Sequence, residues 1–210
     1  GAQAVSIGFN AGRSSQGSHA VALGGEAGRC QQKPQSVAIG YFAGNSLQKA
    51  SAIAIGASAG RCGQGSEAVA LGDNAATSQQ GVQAIAIGSG AGKTSQGKAA
   101  VAVGNLAGET DQHAHSIVIN ASGAALDTGS QNAFYISSMR LDETNVSPVV
   151  AWNLVSNEVV TIAGVNAHAS NASLELSGNL YASNLYGNGA ALTGISVSSS
   201  LQGVVGGGNT

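Results

Sequence analysis

The sequence predicts an all-β solenoid, or β-roll, of eight coils of sixteen residues each. One glycine returns every sixteen residues without a slip, and Asn120 occupies the eighth slot. A β-branched residue stands three positions before each glycine, another aliphatic residue stands directly before it, and a small residue separates the two. A fixed short period indicates one small unit stacked on itself, and sixteen residues are too few for a repeat that contains a helix. The repeated glycines are Gly8, Gly24, Gly40, Gly56, Gly72, Gly88 and Gly104.

The apolar run of each repeat predicts one short strand per coil. Large and small side chains alternate with a period of two, so they point to opposite faces, and glycine interrupts any helical pattern. We expect the bulky aliphatics to fill a narrow core. We expect the alanines, such as Ala22 and Ala38, to form a thin face that packs on a second sheet or chain. The glycine permits the bend after the strand, and eight stacked coils make a rod roughly 40 Å long.

The periodicity ends after Asn120, and the remaining residues predict different structures. Residues 1–124 form the β-roll, 125–165 a β-rich cap or neck, 166–200 a fibre-like segment that needs partner chains, and 201–210 a flexible tail. A solenoid needs a cap because its last coil exposes the core, and we expect Phe134, Tyr135, Ile136 and Met139 to plug that end. Residues 149–162 predict a β-hairpin whose turn lies at residues 156–157.

Composition excludes several classes of function. Only 9% of the residues are charged and the net charge is −2, so no basic surface is expected for nucleic acid. No apolar run approaches the ~20 residues of a membrane span, and no signal peptide is visible. Because the chain begins with Gly1, we expect it to be part of a longer protein.

No Ser-His-Asp or Cys-His constellation is visible, so we expect no enzyme and no required cofactor. The glycine-rich run 88–94 lacks the spacing of a phosphate-binding loop. A polysaccharide-cleaving enzyme is the alternative that paired carboxylates in a groove would support.

A column of basic residues is the first candidate binding site. Arg13, Arg29, Arg61 and Lys93 occupy one position of the repeat, which in other coils holds an uncharged or acidic residue. Such a ladder suits anionic glycans. The alternative is that these charges provide solubility and protect sheet edges.

His113 and His115 form the second candidate site. We expect both side chains on one strand, on the face of Ile117 and Ile119. In a trimer, three such pairs on the axis would offer six imidazoles to a transition metal. The alternative is a solvated edge, because His19 and Gln35 share the column of His115.

The two cysteines, Cys30 and Cys62, occupy one column two repeats apart. Two coils separate them by ~10 Å, which is too far for a disulfide within the chain. We expect free surface thiols, with an interchain disulfide as the alternative.

The repeat pattern small-V-A-I-G-x-x-A, from Ala4 to about Gly108, resembles the head of the trimeric autotransporter adhesins, the YadA-like family. The resemblance implies left-handed β-rolls, a parallel homotrimer and a role in attachment. The period is slightly longer than is usual in that family, which implies longer loops. These loops, expected at 13–18, 29–34, 45–50, 61–66 and 93–98, would carry the contacts with a receptor.

The second half is similar to other proteins. Residues 178–195, G-N-L-Y-A-S-N-L-Y-G-N-G-A-A-L-T-G-I, resemble a motif of phage tail fibres and large algal-virus structural proteins, as do A-F-Y-I-S-S-M-R (133–140) and W-N-L-V-S-N-E-V-V (152–160). The resemblance favours a viral fibre or spike head at the virion surface, which contacts a host glycan or protein. The alternatives are a bacterial adhesin head at the cell surface and a glycan-binding spacer.

Overall fold

The computed structural model describes residues 1–137, 149–153 and 158–162. The chain divides into two units, Gly1–Glu143 and Thr144–Thr210. In the first unit nine parallel strands form one sheet in chain order, and the described residues contain no helix. The strands are β1 (Val5–Ile7), β2 (Val21–Leu23), β3 (Val37–Ile39), β4 (Ile53–Ile55), β5 (Val69–Leu71), β6 (Ile85–Ile87), β7 (Val101–Val103), β8 (Ile117–Asn120) and β9 (Phe134–Ser137).

The parallel solenoid with a sixteen-residue period is confirmed. Strand residues pair with the residue one repeat later, as in Val21 with Val37 and Ala22 with Ala38. Residues outside the strands form a second parallel ladder, which gives each coil a second wall; its residues are Ser14, Cys30, Ser46, Cys62, Ser78, Thr94 and Thr110. The segments that were expected to be receptor-binding loops therefore include this second wall of the solenoid.

The faces of the strands are the reverse of the expectation, because alanine fills the core and the large aliphatics point outward. Ala22 and Ala38 are fully buried, whereas the aliphatic residues on either side of them are partly exposed. The two walls are too close for larger side chains: a methyl group added at Gly28 would lie 3.2 Å from the Cβ atom of Ala22. The prediction that valine and isoleucine fill the core is wrong for this reason.

A buried glutamine completes the interior of each coil from the second to the seventh. The Gln80 Nε2 group donates hydrogen bonds to the carbonyl oxygens of Val69 (2.8 Å) and Ala84 (3.2 Å), and to Gln96 Oε1 (3.1 Å). The amide thus ties the strand to the second wall and joins one coil to the next. A buried carbonyl without a donor is costly, which explains the repeated glutamine. The buried members are Gln32, Gln48, Gln64, Gln80, Gln96 and Gln112.

The seven repeated glycines share one unusual backbone conformation. Their φ angles lie between 113° and 132°, a region that side chains with a Cβ rarely enter. Space is a second constraint, because a Cβ atom at Gly56 would lie 2.5 Å from the carbonyl oxygen of Gly72 in the next coil. At Asn120, which lacks a positive φ, the repeat lengthens and Ile117 pairs with Phe134, seventeen residues later.

The sheet continues to Ser137, further along the chain than the expected boundary at residue 124. Larger residues replace alanine at this end: Val118 is buried, and Leu126 and Tyr135 pack against the core. Tyr135 therefore covers the last coil as expected. Phe134 and Ile136 are 55% and 43% exposed, so they do not act as a plug, because they occupy the outward positions of β9.

Hydrogen bonds hold the Tyr135 hydroxyl in place. The backbone amides of Gly129 (2.9 Å) and Ser130 (3.1 Å) donate to it, and the Ser130 hydroxyl lies 3.2 Å away. The hydrogen bond with the Ser130 side chain, followed by those with the backbone, lowers the pKa of Tyr135 below its usual value. These contacts fasten the preceding loop to the end of the solenoid.

The second unit contains the hairpin strands that the sequence predicts. β10 (Val149–Asn153) pairs antiparallel with β11 (Glu158–Ile162), and Trp152 lies opposite Val159. Met139, the turn at 156–157, the fibre-like segment 166–200 and the tail 201–210 lie outside the described residues.

We predict that Gly56→Ala destabilises the solenoid by at least ~2 kcal/mol, because it combines a disfavoured φ with a clash against the next coil. Gly63→Ala is the matched control. Its φ is 71°, and its nearest neighbour would lie 3.7 Å from an added Cβ. Denaturant unfolding of both variants measures the difference. Equal stability of the two variants would show that contact with the next coil does not constrain Gly56.

We predict that Gln80→Met costs about 3 kcal/mol, because it removes three buried hydrogen bonds of ~1 kcal/mol each and leaves Gln96 Oε1 without its donor, whereas the Ala84 carbonyl oxygen still accepts from the Val69 amide. Gln79→Met is the control, since Gln79 is adjacent but exposed, and a change there is expected to stay within about 0.5 kcal/mol. Thermal and denaturant unfolding compare the pair. A Gln80 variant as stable as the Gln79 variant would contradict the role of the buried amide.

Candidate interaction surface

Two continuous rows of large apolar side chains run along the outer face of the sheet, and we call them the outer rows. Every member is half-buried or exposed. The first row consists of Val5, Val21, Val37, Ile53, Val69, Ile85, Val101, Ile117 and Phe134; the second consists of Ile7, Leu23, Ile39, Ile55, Leu71, Ile87, Val103, Ile119 and Ile136.

The outer rows have the properties of a contact surface. Nine strands at ~4.8 Å spacing give a stripe roughly 40 Å long and about 10 Å wide, or ~400 Å². The stripe contains no charged residue, and exposed members such as Leu71 (42%) and Ile119 (40%) lie far from either terminus. The largest apolar patch of a folded protein is about this size and is often functional.

One border of the outer rows is a column of polar turn residues. These residues adopt left-handed conformations, with φ angles of 56° for Gln3, 59° for His19 and 58° for Glu67. Their side chains are exposed. An apolar centre with a polar rim is the usual anatomy of a protein interface.

The basic column is assembled by the stacking of coils, but carboxylates lie beside part of it. Arg29 forms an ion pair with Glu26 (3.0 Å) and Lys93 with Glu109 in the next coil (3.1 Å). The Arg61 guanidinium carbon lies 5.0 Å from the centre of the Phe42 ring, a cation–π contact. The ladder is thus less positive than its sequence suggests, and Arg13 and Arg61 are its exposed members.

The two histidines precede the strand, with His115 in a turn, which corrects their expected position on a strand. β8 begins at Ile117, and His115 has a φ of 57°, which breaks the alternation that would place both rings on the face of Ile117. His113 Nδ1 lies 2.8 Å from Thr128 Oγ1. Among the described residues, no group of three or more His, Cys, Asp or Glu side chains could hold a metal ion. A transition-metal site formed by six imidazoles around a trimer axis thus remains a prediction.

Cys30 and Cys62 lie on the second wall, in the bridging ladder, with Ser46 between them. Both are free thiols; Cys30 is half-buried and Cys62 is exposed. This arrangement agrees with the expected two-coil separation.

A cluster of aromatic residues was missed by the sequence reasoning. Phe9 (77% exposed) and Tyr41 (60% exposed) occupy the position after the repeated glycine in the first and third coils. The Tyr41 ring meets Phe42 edge to face, with the ring centres 4.3 Å apart. The signal in the sequence was the presence of two aromatics in a column that elsewhere holds small or polar residues.

Comparison of the chain with protein families, with curated proteins and with solved structures finds no match. In the described part of the chain, no helix is long and apolar enough to cross a membrane.

Proposed function

We propose that the protein is a homotrimeric structural attachment protein, the head of a viral fibre or spike that lies at the virion surface and contacts the host cell. The observation that carries the proposal is the pair of outer rows, which run the length of the sheet. Structural attachment needs no catalytic group, and it therefore suits a chain in which packing of the repeat determines the residue type at most positions.

Association through the outer rows follows from the inverted packing. A stripe of ~400 Å² would contribute roughly 10 kcal/mol when it is buried, before the cost of association is counted. The rows are attached to a hydrogen-bonded sheet, so little order is lost on contact. Parallel copies match coil for coil because every coil presents the same two positions. Closed symmetry prevents open-ended assembly, and the resemblance to trimeric adhesin heads supplies the number three.

Contact with the host would involve side chains in the bends and on the second wall, where core packing does not dictate the residue type. A trimer repeats each bend and each second wall three times, so weak contacts combine into a strong one. The exposed Arg13 and Arg61 suit a sulfated or carboxylated host glycan. A bacterial adhesin head at the cell surface and a glycan-binding spacer are the alternatives, and they share the trimer.

We predict that the purified chain has three times its monomer mass of 20.4 kDa when measured by light scattering after size-exclusion chromatography. The double variant Ile55→Lys/Ile87→Lys should be monomeric, because it places charges at the centre of the outer rows without entering the core. Leu47→Lys is the control: Leu47 is 46% exposed but lies outside the rows. A monomeric wild type, or a double variant that stays trimeric, would contradict the proposed interface.

We predict that replacing Arg13, Arg29 and Arg61 by alanine lowers the salt concentration at which the protein leaves a heparin column. The control variant replaces Lys33, Lys49 and Lys98 by alanine, which removes the same charge from other positions. If the basic column binds anionic glycans, the arginine variant should elute markedly earlier than the control. If both variants elute at the same salt concentration, net charge alone explains why heparin retains the protein. If heparin does not retain the wild type, the basic column is not a site for anionic glycans and the spacer alternative is favoured.

A further inference from the structure

Two exposed aromatic rings lie in line along the solenoid axis. Phe9 and Tyr41 are equivalent residues two coils apart, which separates them by ~10 Å. Gly25 occupies the same position in the coil between them. The Phe9 side chain is 77% exposed and the Tyr41 side chain is 60% exposed, which is high for large aromatic residues. The column therefore presents two aromatic rings to solvent, with a residue that lacks a side chain between them.

Local contacts hold the Tyr41 ring in position. A Cβ atom at Gly25 would lie 3.3 Å from Tyr41 Cδ2, so the ring rests over the neighbouring coil where a larger residue would crowd it. Phe42 supports Tyr41 from the side, and Arg61 lies over the Phe42 ring. Phe42 adopts a φ of 58°, which the equivalent residues of the other coils, such as Glu26 and Ser58, share, so the regular bend of the repeat sets its position beside Tyr41.

Polar groups flank the same line. Asp73, two coils beyond Tyr41 in the same column, is exposed and accepts a hydrogen bond from Asn74 Nδ2 (2.8 Å). In the adjacent column, the Glu26 carboxylate accepts from Asn10 Nδ2 (2.8 Å) and pairs with Arg29 (3.0 Å). The exposed Asp73 carboxylate therefore continues the line of the two rings, whereas the Glu26 carboxylate is buried beside it.

This combination matches the chemistry of an uncharged sugar chain. The C–H face of a pyranose stacks on an aromatic ring, and its hydroxyl groups hydrogen-bond to carboxylates and amides. In an extended β-1,4-linked chain the same sugar face returns at every second ring, a repeat close to the two-coil separation of Phe9 and Tyr41. The exposed carboxylate of Asp73 disfavours a polyanionic ligand at this edge.

We infer that Phe9 and Tyr41, with Asp73 beyond them, form a binding platform for an extended, uncharged β-1,4-linked polysaccharide that lies along the solenoid axis. All of these residues belong to one chain, so the platform does not require the trimer. It is distinct from the basic column, which would bind anionic glycans.

Calorimetric titration with cellohexaose and chitohexaose tests the platform, with maltohexaose as the α-linked comparison. We expect the wild type to bind at least one β-linked hexaose and to bind maltohexaose at least tenfold more weakly. Phe9→Ala/Tyr41→Ala should weaken the β-linked ligand at least tenfold. The control Leu47→Ala/Val82→Ala, which removes two exposed side chains of 46% and 43% exposure, should bind as the wild type does.

The inference would be overturned if neither β-linked hexaose bound, or if the aromatic variant bound as the wild type does. A change in the oligomeric mass of the aromatic variant would also overturn it, because it would assign the rings to the contact between chains. The Ile55→Lys/Ile87→Lys variant separates the two proposals, since its affinity for the hexaose should match that of the wild type even when it is monomeric.

Discussion

The walls of each coil lie so close together that only alanine methyl groups, glycine backbone and one glutamine amide fit between them. In strands β1 to β7 every large aliphatic side chain must therefore point outward. The repeat is stable because backbone and amide hydrogen bonds join successive coils, while apolar burial inside one chain is modest. Most large apolar side chains of such a solenoid therefore lie on its surface, which is where the proposed contact with another chain would bury them.

Glycine and glutamine have complementary roles in this narrow interior. The repeated glycine turns the chain at a φ that other residues rarely adopt, and it lets the next coil approach closely. The glutamine donates to carbonyl oxygens on the strand and near the following bend, which joins the opposite sides of a coil. Where Asn120 replaces the glycine, the period changes and larger residues, Val118 and Tyr135, close the end.

The regular core also determines where binding chemistry can reside. Stacking puts equivalent residues of successive coils in line, so a few substitutions in one column create an extended feature. The basic column and the Phe9–Tyr41 line both arise in this way, at positions whose side chains the core does not need. Their environments differ: carboxylates accompany Arg29 and Lys93, whereas Phe9 and Tyr41 stay open to solvent.

The sequence by itself determined the solenoid, its period, the strand positions and the hairpin pairing, because glycine spacing and alternation are local signals. It could not determine which face of V-A-I is inside, since both assignments satisfy alternation; the distance between the walls decides, and it is set by packing across the coil. The turn at His115 and the buried role of Gln80 were likewise decided by the tertiary structure. The spacing of glutamine shows that the residue recurs in each coil, but the atoms that its amide binds are known only once the coil is folded.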